Sequence, residues 1–228
     1  MEERILTLVC ALPALVAGLT VHEFAHAWAA DRLGDDTPRR EGRLTLDPMA
    51  HLDLFGSLFF VLAWFSGYGL GWAKPVMTNH RNFAHPRRDS ALVAVAGPIS
   101  NILQVPFWLA AVFAFGFAAQ KFGIQTGGGV SPVDLVGFVL TSGIMLNIGL
   151  AAFNMIPIPP LDGHWILQSL GGRPIEELFD MIRPFSFLLL ILLINFTPLF
   201  DVALFPIQSL ARELAYNVAQ AGQVLALR

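Results

Sequence analysis

His22-Glu23-Phe24-Ala25-His26 sets two imidazoles four residues apart, with a carboxylate beside the first. On a helix, positions i and i+4 share a face, so both rings can reach one Zn²⁺. Glu23 stands where it can take a proton from a water on that metal. A catalytic zinc needs a third protein ligand and keeps its fourth position for water. Continuation of the helix as HxxGxxH is excluded, because Ala29 occupies the glycine position. Glu41 lies in an Arg-rich loop, and Asp47 and Asp53 lie beside turn signals. The strongest candidate is Asp162, at the end of Asn154-Met155-Ile156-Pro157-Ile158-Pro159-Pro160-Leu161-Asp162-Gly163. Three prolines remove backbone donors there and break the preceding helix, and such a break at membrane depth is expected only where it lines a cavity or packs on protein. An Asp leaving that break can face a metal. Its bland alternative is a helix N-cap.

These residues sit in an apolar chain. Of 228 residues, 55% are hydrophobic and 14% charged, against about 25% charged in a soluble domain. The mean hydropathy is +0.60. That composition excludes a disordered chain and argues against a soluble enzyme. The net charge of −3 offers no basic field for nucleic acid. The single cysteine, Cys10, excludes an intramolecular disulfide. Charge-free runs cover Ile5–Val21, Leu54–Ala73, Ser90–Gln120, Leu135–Leu161 and Pro184–Phe200, with a further run over Val202–Ala211. A span needs about 20 apolar residues, so four to six membrane elements are expected. The HExxH triplet continues the first run. If that helix reaches Ala30, the triplet lies ~9 Å inside its end. An ionisable group at such depth is functional by default.

Charge is uneven between the runs. Residues 31–51 hold Arg32, Arg39, Arg40 and Arg43 with five acids, and residues 74–89 hold Lys74, Arg81, Arg87 and Arg88 against Asp89 alone. Residues 121–134 hold only Lys121 among the bases, with Gly127, Gly128 and Gly129. The positive-inside rule then puts 74–89 in the cytoplasm and 121–134 outside. With 31–51 also cytoplasmic, Leu54–Ala73 would dip into the membrane and return, its Gly67, Gly69 and Gly71 supplying the irregular end. Arg43-Leu44-Thr45-Leu46-Asp47 alternates like a short strand. Trp72–Val76 reads as a second extended piece, since the residue before Pro75 avoids the helical region. The tail from Pro206 is amphipathic and reads as a surface helix.

HEFAH, then Ala96-Gly97-Pro98-Ile99-Ser100-Asn101, then NMIPIPPLDG resemble the site-2 protease family of intramembrane zinc metalloproteases. Gly42–Pro48 and Gly71–Val76 resemble its small bacterial branch, without a PDZ or CBS module. The resemblance covers roughly residues 15–170. It implies zinc, one ion per chain, on His22, His26 and Asp162, with Glu23 as general base. It also implies that Asn154 contacts substrate or the oxyanion, where an amide donor suits a tetrahedral intermediate. Asn101 follows a Gly-Pro pair and reads as structural, tying helices together near the site. His164 is a weaker substitute ligand. His51, His80 and His85 lie in basic, proline-containing loops and read as solvated.

The expected fold is therefore an all-α polytopic membrane protein with a short β element and a re-entrant segment near the active site. It forms a single domain over 1–228, with a core of about 5–170 and C-terminal membrane or surface helices over 184–228. The expected activity is cleavage of membrane-anchored protein substrates in the cell (inner) membrane, with the site nearer the cytoplasm, lipid bilayer around it and no nucleic-acid partner. Two rivals remain at this level. One is a zinc protease pairing HExxH with ExxxD, for which Glu176 and Asp180 have the spacing. The other is a non-catalytic membrane protein that binds metal or transmembrane helices. Glu23 argues against the latter, since metal binding alone needs no base.

Overall fold

The computed structural model describes residues 2–124 and 131–227. The glycines at 127–129, and the loop reading that rests on them, lie outside the described residues. The first helix, α1 (Glu2–Arg32), carries the apolar run straight through the HExxH triplet. A single turn, α2 (Thr37–Arg40), and a short apolar helix, α3 (Leu54–Ser66), follow. Then come α4 (Pro86–Lys121), α5 (Pro132–Asn154), α6 (Gly163–Ile182), α7 (Ser186–Phe196) and α8 (Leu199–Ala226). Three of them, α1 from Arg4, α4 and α5, are long and apolar enough to cross a membrane. α4 is central and packs against α1, α5, α6 and α8.

Local chemistry explains the ends. α5 begins with a reciprocal capping box, in which Ser131 accepts from the Asp134 amide and the Asp134 carboxylate accepts from the Ser131 backbone. Pro132 at its first position needs no amide partner. It ends three residues before Pro157, where continued helical bonding fails. The 13 residues of α3 rise about 20 Å, too short for a hydrocarbon core of about 30 Å. Gly67 closes α3 in a left-handed conformation, φ 79°. The chain then runs back so that Lys74 N–H donates to the His51 carbonyl at 2.8 Å. The segment 54–73 thus leaves and returns to one place.

No strand occurs among the described residues. The expected β element reduces to one isolated antiparallel bridge, Leu52 with Ala73. Arg43–Asp47 is irregular because its side chains are turned to loop construction. Asp47 caps a 3-10 turn at Pro48–Ala50. The Arg43 guanidinium is buried and donates to the carbonyls of Ala50 and Lys74, so its residue folds inward instead of lying along a ladder. His51, expected to be solvated, is 1% exposed, and its Nε2 bonds the Thr45 carbonyl at 2.8 Å. The tail also departs from expectation. α8 buries Ala211 and Ala215 in a cluster with Val105, Val112 and Ile144, instead of lying apart. Gly116 and Gly222 allow this approach. A Cβ on either would stand 2.4 Å from the Ala219 carbonyl oxygen or 2.3 Å from that of Phe113.

Asp35 ties the polar loops together. Its fully buried carboxylate accepts from the Thr37 amide and hydroxyl (3.1 and 2.5 Å), the Asn79 amide (2.7 Å) and the Asn82 side chain (2.8 Å). Burial alone would push this carboxyl up, but the bonds from Thr37, Asn79 and Asn82 outweigh it and hold it below the usual carboxylate range. A group depressed in the folded state stabilises above its unfolded value and loses that contribution as pH falls through the folded one. Thermal stability in detergent is therefore expected to fall below about pH 4. Asp35→Asn is expected to have a lower melting temperature at pH 7 and a flatter acid limb. Superimposable acid limbs for the two proteins would show that Asp35 carries no such linkage.

Candidate metal centre

Gly18, His22 and His26 follow one another at i, i+4 and i+8 along α1, with Gly18 against Asn147 and Leu150 of α5 and the two histidines against Gly97 of α4. The helices come close here because Gly97 has no side chain. A Cβ at that position would lie 2.4 Å from His26 Nε2 and 2.6 Å from His22 Cε1. His26 Nδ1–H donates to the Val93 carbonyl at 2.7 Å, one turn before Gly97. His22 Nδ1–H donates to Asn101 Oδ1 at 2.6 Å. The orientation of the Asn101 amide follows from its nitrogen, which donates to the Gly18 carbonyl (3.2 Å) and to Asn147 Oδ1 (2.9 Å). Asn147 in turn donates to the Gly143 carbonyl at 2.8 Å. Asn101 and Asn147 are both fully buried. Every polar atom of this pair of amides has a partner, as burial demands.

The same bonds determine the imidazole tautomers. With each Nδ1 protonated, each Nε2 presents a lone pair. The two Nε2 atoms lie 3.0 Å apart. Asp162 Oδ2 lies 3.2 Å from His22 Nε2 and 3.3 Å from His26 Nε2. Adjacent ligand atoms of a tetrahedral zinc stand about 3.3 Å apart, so the triangle has the size of three tetrahedral vertices. Asp162 Oδ2 is buried and accepts no hydrogen bond. Three atoms that can each act as an acceptor thus converge on one point, as the ligands of a shared cation do. The donor set, two neutral imidazoles and a carboxylate, suits zinc.

The chain break delivers Asp162. Past Asn154 the backbone turns through Ile158 N–H to the Ile156 carbonyl (2.8 Å) and Leu161 N–H to the Ile158 carbonyl (2.9 Å). Asp162 occupies the N-cap position of α6, yet its side chain makes no capping bond and faces the histidines instead. Gly163 permits the tight re-entry, since a Cβ there would lie 2.3 Å from the Met155 carbonyl oxygen.

Among the described residues, His22, His26 and Asp162 are the one group of three or more His, Cys, Asp or Glu side chains that converges for a metal. Glu176 is engaged with Arg87 at 2.8 Å, and Asp180 with Arg183 at 3.2 Å, both outside that group. The ExxxD reading therefore lacks its ligand. His164 lies outside that group; its Nδ1 bonds the Leu161 carbonyl at 2.5 Å and its ring packs on Trp165 and Phe179. Asp53 caps α3 through the Gly56 amide at 2.7 Å. Glu23 and Asn154 both border a cavity of about 610 Å³ that reaches the histidines and Asp162. The Asn154 amide nitrogen donates to the Leu150 carbonyl at 3.1 Å, within its own helix. The cavity wall opposite is the extended run from Leu70 to Thr78. Sequence reasoning missed Asn147 and Gly97. Asn147 did carry a signal: it is an amide in the middle of a 27-residue charge-free run, where an unpaired one is costly.

Residues 10–194 match Peptidase family M50. Three similar proteins share the words "Putative zinc metalloprotease" in their names. YwhC of Bacillus subtilis is 34% identical over 205 residues, covering 87% of this chain and 85% of that protein. Rip2 of Mycobacterium tuberculosis H37Rv is 26% identical over 225 residues, covering 96% and 80%. MJ0611 of Methanocaldococcus jannaschii is 28% identical over 167 residues, covering 72% of each. No solved structure matches the chain.

Zinc measured on purified protein is expected at about one ion per chain, the stoichiometry of one three-ligand site. His22→Ala, His26→Ala and Asp162→Ala should each remove most of it. Asn101→Leu leaves the ligands in place but frees His22, and is expected to weaken zinc affinity about 10- to 100-fold. Competition with a chelator measures this. Unchanged affinity in Asn101→Leu would mean that packing alone orients His22.

Proposed function

The chain belongs to peptidase family M50 and is a membrane zinc metalloprotease, and on that premise we propose that it cuts the transmembrane segments of membrane-anchored proteins, with His22, His26 and Asp162 holding one Zn²⁺ and Glu23 as the base. The observation that carries this is the convergence of His22, His26 and Asp162, the last through a buried carboxylate oxygen without a hydrogen bond, on the wall of one cavity. Zinc held by His22, His26 and Asp162 would supply a Lewis acid for the scissile carbonyl and a more acidic water. The Glu23 carboxylate then takes the proton of the attacking water and passes it to the leaving amine. Asn154, on the cavity wall, has a second amide hydrogen free to meet substrate or the oxyanion. Asn101 positions His22 and does not touch substrate.

A transmembrane helix hides its peptide bonds, so a substrate has to unwind before it is cut. The extended run Leu70–Thr78 borders the cavity, and it is the segment against which an unwound strand would pair by main-chain bonds. The Arg43–Asp47 stretch, which the sequence reads as a short strand, forms none and does not line this cavity. The basic loop 74–89 supports a cytoplasmic location for this end of the cavity in an inner membrane, because Pro75, Val76, Thr78 and His80 all line it.

Glu23→Gln separates metal binding from chemistry. The amide keeps the side chain's size and cannot take a proton near neutral pH. Zinc is expected to stay bound while cleavage of a single-pass substrate falls at least ~10²-fold. Both are read on one detergent preparation. Wild-type turnover in Glu23→Gln would overturn the mechanism, and loss of zinc would make Glu23 part of the metal site.

A further inference from the structure

α8 divides into two faces. Ala211, Ala215 and Gly222 are buried, with Val218 and Ala219 packed beside them, against α4 and α5. At 100° per residue, Ser209, Glu213, Tyr216 and Gln220 form a stripe on the opposite face, flanked by Arg212 on one side and Asn217 on the other. All six are exposed. Neither Arg212 nor Glu213 has a hydrogen-bond or ion-pair partner among the described residues. The Gln220 side chain bonds only the Tyr216 hydroxyl, at 2.5 Å.

The depth of this stripe is what makes it informative. Ala211 and Ala215 bracket Arg212 and Glu213, and their cluster holds Val105, Val112 and Ile144. Ile144 lies ten residues from the end of α5 at Asn154 and twelve from its start at Pro132. Val105 is the midpoint of the charge-free run Ser90–Gln120. If α4 and α5 cross the bilayer, as their length and composition allow, Arg212 and Glu213 stand near its midplane on an outward face. Charged side chains at that depth face protein or a water-filled space, not lipid.

We propose that this face of α8 is the interface with a second copy of the chain, the two α8 helices running side by side across the membrane. Arg212 and Glu213 are adjacent, hence within about 1.5 Å of one depth, and at 100° per residue they fall on opposite sides of the line formed by Ser209, Tyr216 and Gln220. A two-fold axis along the membrane normal sets one flank of each helix against the other flank of its partner. That places the Arg212 guanidinium of one copy beside the Glu213 carboxylate of the other, twice over. Ser209, Tyr216 and Gln220 then face their own counterparts, as polar side chains do between membrane helices. The charges complement each other within one chain, which is what a like partner requires.

Oxidative crosslinking in native membranes tests this, with Ser209→Cys or Gln220→Cys in a Cys10→Ala background and zinc content confirming the fold. A crosslinked species at twice the 24.9 kDa chain is expected. Arg212→Glu and Glu213→Arg should each lower its yield at least several-fold, and the double swap should restore it. The neutral pair Arg212→Gln with Glu213→Gln, which burdens the membrane least, should lower it too. A crosslink to a protein of another mass, no crosslink at either position, or yields indifferent to charge would each overturn the proposal. Rapid labelling of Glu213→Cys by a membrane-impermeant maleimide would also overturn it, by showing that the face is wet. None of these readouts depends on proteolysis, so they fail independently of the proposed activity.

Discussion

Three acceptor atoms, His22 Nε2, His26 Nε2 and Asp162 Oδ2, are held within 3.3 Å of one another in a mostly buried site. In an apolar interior their mutual repulsion is poorly screened, and a cation held among them relieves it. Everything around the site reads as the means of holding that arrangement. The hydrogen bonds on the far side of each imidazole direct the lone pairs inward. The proline-broken connection between α5 and α6 places a carboxylate where a regular helix would carry it past.

The scaffold meets this demand with close helix approach and paired amides. Gly97 lets the rings of α1 lie against α4, and Gly143 accepts the Trp108 ring at a distance that no Cβ would permit. Lipid supplies no hydrophobic drive between helices, so such small-residue contacts and interhelical bonds carry the association. The Asn101–Asn147 pair ties α1, α4 and α5 together and ends on His22. The same residues thus hold the bundle and orient the His22 ring. Outside the bundle, the loops are organised by buried charge: Asp35 collects four donors, and Arg43 binds the carbonyls of Ala50 and Lys74, which lie on either side of the returning segment. The wall of the cavity depends on that segment staying where Arg43 and the Leu52–Ala73 bridge hold it.

What the sequence determined by itself was the chemistry and the medium. HExxH on an apolar helix and an Asp emerging from a proline-broken span specify the residue types and their order, and hydropathy specifies helices. Both signals are local, readable within one or two turns. Tertiary structure alone decided what lies between distant segments. It brought Asp162, and neither Glu176 nor His164, to the two histidines of the triplet. It brought Asn147 to Asn101 across two helices. It turned an alternating pattern at Arg43–Asp47 into a loop, because a buried guanidinium needs carbonyls more than a lone strand needs a partner. It also laid α8 against the middle of α4 and α5, where an amphipathic tail read alone would lie on the surface. Each of these outcomes depends on distances through space, and spacing along the chain does not encode them.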